Sequence, residues 1–127
     1  MTCREIFAAT LRLLCETEET ASDYEERASY LLATLCTELS SLDNKYRAER
    51  GEGPMPPFAK AFLELDQAFP LSDAFLPVAE YYLASMLAME ANEELGDRYF
   101  AKYSDALASI MQPRTEAKPI KDRYRLI

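Results

Sequence analysis

The sequence contains no histidine and no tryptophan, and it has only three glycines among its 127 residues. The absence of histidine removes the commonest general base, the usual zinc ligand and every Ser-His or Cys-His catalytic pair. The scarcity of glycine argues against a turn-rich all-β fold, whereas the abundant alanine, leucine and glutamate favour helix. We therefore expect an all-α protein in which chemistry by carboxylates alone is the main catalytic possibility that remains.

Cysteines are also few, and their number is odd: Cys3, Cys15 and Cys36. All three fall at helical positions among apolar residues, and no two of them form a C-x-x-C pair. This distribution disfavours a disulfide framework or a cysteine-based metal site. We predict that the three side chains are reduced core thiols of a cytosolic protein.

Long apolar runs are missing as well, because no stretch reaches the roughly 18 residues that a membrane span requires. Near the N-terminus, Arg12 interrupts the apolar patch, and no small-residue cleavage site follows it. The sequence therefore predicts neither a membrane-spanning helix nor a signal peptide.

Positive charge is scarce in most of the chain and concentrated at its end. Residues 1–111 contain nine Lys and Arg against 20 Asp and Glu, a net charge of −11, whereas residues 112–127 carry +3. An acidic body repels a phosphate backbone, so we expect no nucleic-acid binding by residues 1–111. We divide the chain into one helical domain over residues 1–111 and a basic, extended C-terminal arm over residues 112–127.

A capping box predicts where the first helix begins. Thr2 and Glu5 have the spacing at which each side chain can bond the other residue's backbone N–H. Apolar residues at helical spacing follow, which places a helix near 3–16.

The second predicted helix has the most regular apolar stripe. Ser22 and Glu25 form a possible capping box, which places a helix near 23–48. Gly51 and Gly53 are expected to end it. Its apolar residues recur at intervals of three or four positions: Tyr24, Ala28, Leu31, Leu35, Leu39, Leu42 and Tyr46.

Residues 50–72 contain four prolines and form the only long irregular segment that we predict. A short helix over 59–65, opened by Pro57, is compatible with this composition. The segment is too apolar for a free linker, so we expect it to fold back over the bundle through four side chains: Phe58, Phe62, Phe69 and Leu71.

A third helix is predicted near 73–91, with Asp73 as its cap. It is apolar over most of its circumference, so it has to be covered on more than one side. We expect this helix to pack centrally and to need cover beyond a single small bundle. Its neighbouring Tyr81 and Tyr82 combine a large apolar area with a hydroxyl, which makes them candidates for a contact with another subunit or another protein.

A fourth helix is predicted near 93–111, capped by Asn92 and with Glu93 and Glu94 in its first turn. The third and fourth helices then form an antiparallel hairpin. The apolar stripe of the fourth helix consists of Leu95, Tyr99, Tyr103, Leu107 and Ile110.

The C-terminal arm changes period, because apolar and basic residues alternate in KPIKDRYRLI. This strand-like pattern is too short to form a sheet alone, and such an arm often pairs with another subunit. Contact with phosphates and simple disorder are the alternatives. The candidate interface residues of the arm are Arg114, Lys118, Ile120, Lys121, Arg123, Tyr124, Arg125 and Leu126.

Other groupings of polar residues have structural explanations that we favour. Acid clusters near 16–19, 25–26 and 90–94 are typical of helix caps and solvated faces, although paired acids can hold a divalent metal in a concave site. Gly51-Glu52-Gly53 lacks the lysine of a phosphate-binding loop. The tyrosines of the hairpin can stack on bases, but the surrounding negative charge opposes it.

Several segments together resemble the small helical head–tail connector (adaptor) proteins of long-tailed bacteriophages and prophages. These are TCREIFAATLRLL, DYEERASYLLATLCTELSSL and FPLSDAFLPVAEYYLASMLAMEANEELGDRYFAKYSDALASI. The resemblance covers residues 3–111 and is most telling over 69–107. There an apolar residue, proline and aspartate precede a Tyr-Leu-Ala-rich helix, an acidic turn and a tyrosine-containing last helix.

The resemblance implies a structural virion protein that forms a ring, twelve-fold in the family, beneath the portal of a filled capsid. Its implied partners are other copies of itself, the portal protein and a tail or tail-completion protein, with DNA only as passing cargo. It implies a protein that is not an enzyme, without catalytic, cofactor-binding or metal-binding residues, without a cofactor and without a membrane partner. It places the protein at the virion neck or, during assembly, in the bacterial cytoplasm. The alternative function is a small acidic bacterial adaptor or regulatory protein that binds a basic protein partner.

Overall fold

The computed structural model of the chain describes residues 1–14 and 18–111, without the side chains of residues 18–23. These residues form four α-helices: α1 (Cys3–Leu13), α2 (Glu18–Glu49), α3 (Leu76–Ala88) and α4 (Glu93–Met111). A short 3₁₀ turn, Asp73–Phe75, precedes α3. The described part of the chain contains no β-strand, which confirms the all-α prediction.

Helix α1 begins where the capping box predicts. The Glu5 N–H donates to Thr2 Oγ1 at 3.3 Å, and the Thr2 N–H donates to Glu5 Oε1 at 2.9 Å. The helix ends at Leu13, three residues before the predicted end, and the last two residues of the prediction lie outside the described part of the chain.

Helix α2 begins at Glu18, five residues before its predicted start. The helix runs straight through residues 22–25, so the second capping box is not at a helix start and that prediction is wrong. Helix-favouring residues on both sides of Ser22 carry the helix through it without a break. The C-terminal end is confirmed, because Gly51 adopts a φ of 75° and the Glu52 N–H donates to the Arg47 carbonyl at 2.8 Å. These features form the Schellman motif that closes many helices.

Residues 52–72 form no helix, so the short helix predicted over 59–65 is wrong. The segment is held to the N-terminus by backbone hydrogen bonds: the Cys3 N–H donates to the Gln67 carbonyl at 2.9 Å, and the Phe69 N–H donates to the Met1 carbonyl at 2.9 Å. A turn lies within this segment, where the Gln67 N–H donates to the Glu64 carbonyl at 3.1 Å, and four apolar residues around it are buried. These are Leu63, Leu65, Phe69 and Leu71.

The expectation that residues 50–72 fold back over the bundle holds in part. Phe69 and Leu71 are buried, and Phe58 packs against the core half-buried. Phe62 instead remains 41% exposed. It packs against the ring of Tyr30, which is itself exposed.

Helix α3 lies at the centre of the molecule and contacts α1, α2 and α4, which confirms its predicted packing role. Eight of its 13 residues are buried. The helix is shorter than the predicted 73–91. Asp73 does not cap it, because Asp73 belongs to the 3₁₀ turn that follows Ser72 and precedes α3, and Pro77 stands in the first turn of α3. Its main neighbours in the core are Ile6, Phe7, Leu32, Leu35, Phe75 and Leu63.

Helix α4 has the predicted bounds and the predicted cap. The Asn92 side-chain oxygen accepts a hydrogen bond from the Leu95 N–H at 3.1 Å. A tight turn around Ala91 reverses the chain between α3 and α4, with the Asn92 N–H donating to the Ala88 carbonyl at 2.8 Å. Among the described helices, none combines the length and the apolar character that crossing a membrane requires.

Candidate functional site

The α3–α4 hairpin carries the two predicted interface tyrosines, and its helices meet through small residues. The buried Ser85 hydroxyl donates to the Gly96 carbonyl at 2.9 Å. A Cβ atom added to Gly96 would lie 3.0 Å from the Met89 Cα, so a larger residue does not fit there without movement. The small residues Ser85 of α3 and Gly96 of α4 therefore allow the two helices to pack closely.

A cluster of five aromatic residues, here called the aromatic seam, lines the outer part of this hairpin. Tyr81 stacks on Tyr99 with ring centroids 6.4 Å apart, and Tyr82 packs on Tyr103 at 5.4 Å. Phe100 contacts Tyr103 at 5.4 Å and is 43% exposed. The seam therefore joins the two helices and presents one of its rings to solvent.

The hydroxyl groups of the aromatic seam are positioned as structural groups. The Tyr99 hydroxyl donates to the Leu13 carbonyl at 2.8 Å and so ties α4 to the end of α1. Burial raises the pKa of Tyr82 and of Tyr103, and the nearby carboxylate of Glu38 raises both further. The phenols therefore stay protonated at neutral pH and do not act as bases.

The structure places the two predicted interface tyrosines differently. Tyr82 is 7% exposed and belongs to the core. Tyr81 is half-buried, and the Lys102 ammonium lies 5.9 Å from the centre of its ring. Part of the Tyr81 side chain therefore lies at the surface, where another protein could contact it, whereas Tyr82 packs inside the seam against Tyr103. The eight predicted interface residues of the arm, from Arg114 to Leu126, lie outside the described residues.

The large apolar circumference of α3 is covered within one chain. Leu83 and Val78 have no exposed surface, and Leu87 is 3% exposed. Helices α1, α2 and α4 together with the segment 63–71 enclose the helix. The expectation that α3 needs cover from a second copy is therefore wrong. The sequence showed that α3 is covered on several sides but not that the irregular segment helps to cover it.

Two of the three cysteines have the predicted character. Cys3 and Cys36 are free and fully buried. Burial raises the pKa of Cys3 to about 11 and that of Cys36 to about 12. Both thiols are therefore protonated at neutral pH and unsuited to nucleophilic attack. Cys15 lies outside the described residues.

Several of the described acidic residues act as caps or in surface ion pairs, and the side chains of the predicted cluster near 16–19 lie outside the described residues. Glu5 closes the capping box of α1, and the backbone N–H of Thr2 lowers the pKa of that carboxyl. Glu90 pairs with Arg27 at 3.4 Å, and Glu94 pairs with Arg98 at 3.5 Å. Among the side chains of residues 1–14 and 24–111, no three Cys, Asp or Glu residues are grouped as a metal site would require.

A buried ion pair that the sequence analysis did not identify anchors the start of α3. Asp43 is 2% exposed, accepts a hydrogen bond from the Ser72 N–H at 3.0 Å, and pairs with Arg47 at 2.9 Å. The hydrogen bonding and the charge of Arg47 compensate the burial of this carboxylate. The sequence did indicate a buried acid here, because Asp43 lies four residues after Leu39 and therefore on the buried face of α2.

A second feature missed from the sequence is an open cleft between the first turn of α1, residues 25–29 of α2 and residues 62–66. It is lined by Arg4, Glu25, Glu26, Phe62, Glu64 and Asp66, and we call it the acidic cleft. At its edge Phe62 packs edge-on against Tyr30, with ring centroids 5.1 Å apart, although the two side chains are 41% and 48% exposed. The acidic cleft therefore combines an exposed aromatic ring with charged side chains.

Searches against family models, curated proteins and solved structures found no match to this chain.

Proposed function

We propose that this chain is a structural subunit of the head–tail connector of a long-tailed bacteriophage or prophage. In this role it forms a ring beneath the portal, docks the tail and surrounds the DNA channel. It acts by assembly rather than by catalysis, and its location is the virion neck. The proposal begins from the sequence resemblance over residues 3–111, and the surface chemistry of the described helices supports it.

The observation that carries the proposal is the division of charge between the body and the arm. The body has a net charge of −11, and several of its acids are strongly exposed, with side-chain exposures of 86% for Glu94, 82% for Asp66 and 77% for Glu90. Such a surface repels a DNA backbone. A channel lined by this protein would let DNA pass without holding it.

Ring closure requires two different patches that meet head to tail. The acidic body and the +3 arm of residues 112–127 form such a pair. In the proposed ring the arm is an extended segment that docks on an adjacent subunit or on the portal. The half-buried Tyr81 contributes from the hairpin, together with the eight interface residues of the arm.

Electron microscopy of the full-length protein mixed with the portal protein encoded beside it tests this proposal. The expected result is a ring of additional density, with the portal's symmetry, on the end of the portal that faces the tail. Absence of binding at low ionic strength would contradict the proposal. Tight binding to an unrelated basic protein, with no binding to the portal, would favour the adaptor function instead.

A matched variant separates specific docking from general charge attraction. Lys121→Glu with Arg123→Glu reverses the charge of the arm, and Lys45→Glu with Lys60→Glu makes the same change in charge on exposed residues of the body. We expect the first variant to lose the ring and the second to keep it. Equal effects would show that net charge alone governs the binding.

A further inference from the structure

We infer that the acidic cleft is the receptor for the C-terminal arm, residues 114–126, of a neighbouring copy of this chain. The inference rests on the proposed function and names the site at which adjacent subunits join. It follows from the exposed aromatic pair, from the charge of the cleft and from the distance between the cleft and the point where the arm begins.

The first observation is the exposure of two large aromatic side chains at the edge of the cleft. Tyr30 and Phe62 pack edge to face with an interplanar angle of 75°. They keep 48% and 41% of their surface exposed, in a body whose other large apolar residues are mostly buried. An ordered pair of exposed rings offers an apolar contact that gains free energy when a partner covers it.

The second observation is an excess of negative charge in the same cleft. Glu25, Glu26, Glu64 and Asp66 stand beside a single cation, Arg4. Arg4 is engaged with Asp66 at 3.0 Å and with Glu25 at 3.4 Å. Among the described residues, neither Glu26 nor Glu64 takes part in a salt bridge. The cleft therefore has two carboxylates available for a basic partner.

The arm has the complementary composition. Within residues 120–126 the basic residues Lys121, Arg123 and Arg125 stand at odd positions, and the apolar residues Ile120, Tyr124 and Leu126 stand at even positions together with Asp122. In an extended segment the two sets face opposite sides. One side of the arm then contacts the aromatic pair while the other meets the carboxylates, which a purely basic or purely apolar segment cannot do.

The third observation concerns where the arm begins. Ile110 and Met111, at the end of α4, border a groove with Leu42 and Tyr46 near the end of α2. The acidic cleft lies at Glu25 and Glu26, in the N-terminal part of α2. Helix geometry separates these two parts of α2 by roughly 25 Å. Donor and acceptor patches are thus at opposite ends of one subunit, as a head-to-tail contact requires.

Zero-length carbodiimide cross-linking of the full-length protein assembled on its portal tests the inference. The reagent joins a lysine to a carboxylate that it touches, and Lys118 and Lys121 are the lysines of the arm. We expect mass spectrometry to find these lysines linked to Glu26 or Glu64. An equal mixture of ¹⁴N- and ¹⁵N-labelled protein shows whether the linked residues belong to different copies, because links between copies then include mixed-isotope pairs.

A charge-swap experiment provides an independent readout. The variant Glu26→Lys with Glu64→Lys is expected to reduce the number of copies bound per portal at least several-fold. An arm carrying Lys121→Glu and Arg123→Glu, combined with that cleft in the same chain, is expected to restore binding. The control variant Glu49→Lys with Asp97→Lys makes the same change in charge at exposed positions away from the cleft and is expected to bind normally.

The outcomes separate this inference from the proposed function. A ring on the portal in which the arm is linked only to its own chain, only to the portal, or to carboxylates elsewhere on the body would overturn the inference and leave the connector function standing. Failure of the unaltered protein to bind the portal would overturn both. Mixed-isotope links to the cleft together with rescue by the charge swap would support both.

Discussion

Helices α3 and α4 are neighbours in one hairpin, yet they differ sharply in burial. Eight of the 13 residues of α3 are buried, whereas Gly96 is the only buried residue among the 19 of α4. The number of charged residues differs accordingly, because the buried helix α3 contains one, Glu80, whereas the exposed helix α4 contains six. The contrast shows that α3 is the core of the molecule and α4 is a layer laid on one side of it.

This difference also separates the two tasks of the hairpin. Helix α3 is surrounded by α1, α2 and α4 and supplies stability. Helix α4 keeps its outer face in solvent, presents Phe100 and leads directly into the arm. Changes in α3 should therefore destabilise the fold, whereas changes on the outer face of α4 should affect assembly more than folding.

The largest expected effect comes from the same truncation made in each helix. Leu83→Ala in α3 removes a fully buried side chain, and we expect it to cost about 2–5 kcal/mol of unfolding free energy. Leu107→Ala in α4 removes a partly buried one, and we expect a cost of about 1 kcal/mol. Urea unfolding followed by circular dichroism measures both. Equal costs would show that α4 shares the core equally with α3.

A smaller effect is expected where the two helices touch most closely. Gly96→Ala places a Cβ 3.0 Å from the Met89 Cα, and forcing the helices apart should cost about 1–3 kcal/mol. Gly53→Ala is the control, because a Cβ there meets nothing within 4 Å, and it should change stability by less than about 0.5 kcal/mol. If the Gly96 variant is as stable as its control, the two helices can move apart at this contact without a loss of unfolding free energy.

The smallest effect concerns the single acid of α3. Partial burial raises the pKa of Glu80, and Arg12 lowers it only in part. Because the folded-state pKa lies above that of the unfolded chain, ionisation of Glu80 reduces stability at neutral pH and not at acidic pH, where both states are protonated. Glu80→Gln should therefore stabilise the protein slightly at pH 7.

Urea unfolding of this variant at neutral and at acidic pH measures the effect. The gain should disappear once the pH falls below the ordinary range of a glutamate carboxyl. Asp105→Asn, on the exposed face of α4, is the control and should bring no such gain. A Glu80→Gln variant that is less stable at pH 7 would contradict the assignment.

Much of the helical architecture followed from local sequence. The Thr2–Glu5 box, the Asn92 cap and the positive φ of Gly51 are each set by a few adjacent residues. The stripe of α2 was visible because its apolar residues repeat at helical intervals. The start of α2 was missed because Ser22 resembles a cap, although its neighbours favour continuation of the helix.

The irregular segment and the site depended on contacts between distant residues. Helix-forming residues around Ala59 suggested a local helix, but hydrogen bonds to residues 1–4 hold the chain between Leu65 and Phe69 in a non-helical path. These partners are distant in sequence, so no local pattern indicates them. No local pattern reveals that residues 62–66 meet Arg4 and Glu25, so the acidic cleft could not be predicted from the sequence.

The central claim is that the body folds alone and that the arm provides assembly. The most direct measurement compares the full chain with a chain lacking residues 113–127, by thermal unfolding and by the number of copies bound to the portal. We predict an unchanged melting temperature, loss of the bound ring, and weaker binding of the full chain as salt rises. A truncated chain that unfolds, or that binds the portal as well as the full chain, would contradict the account.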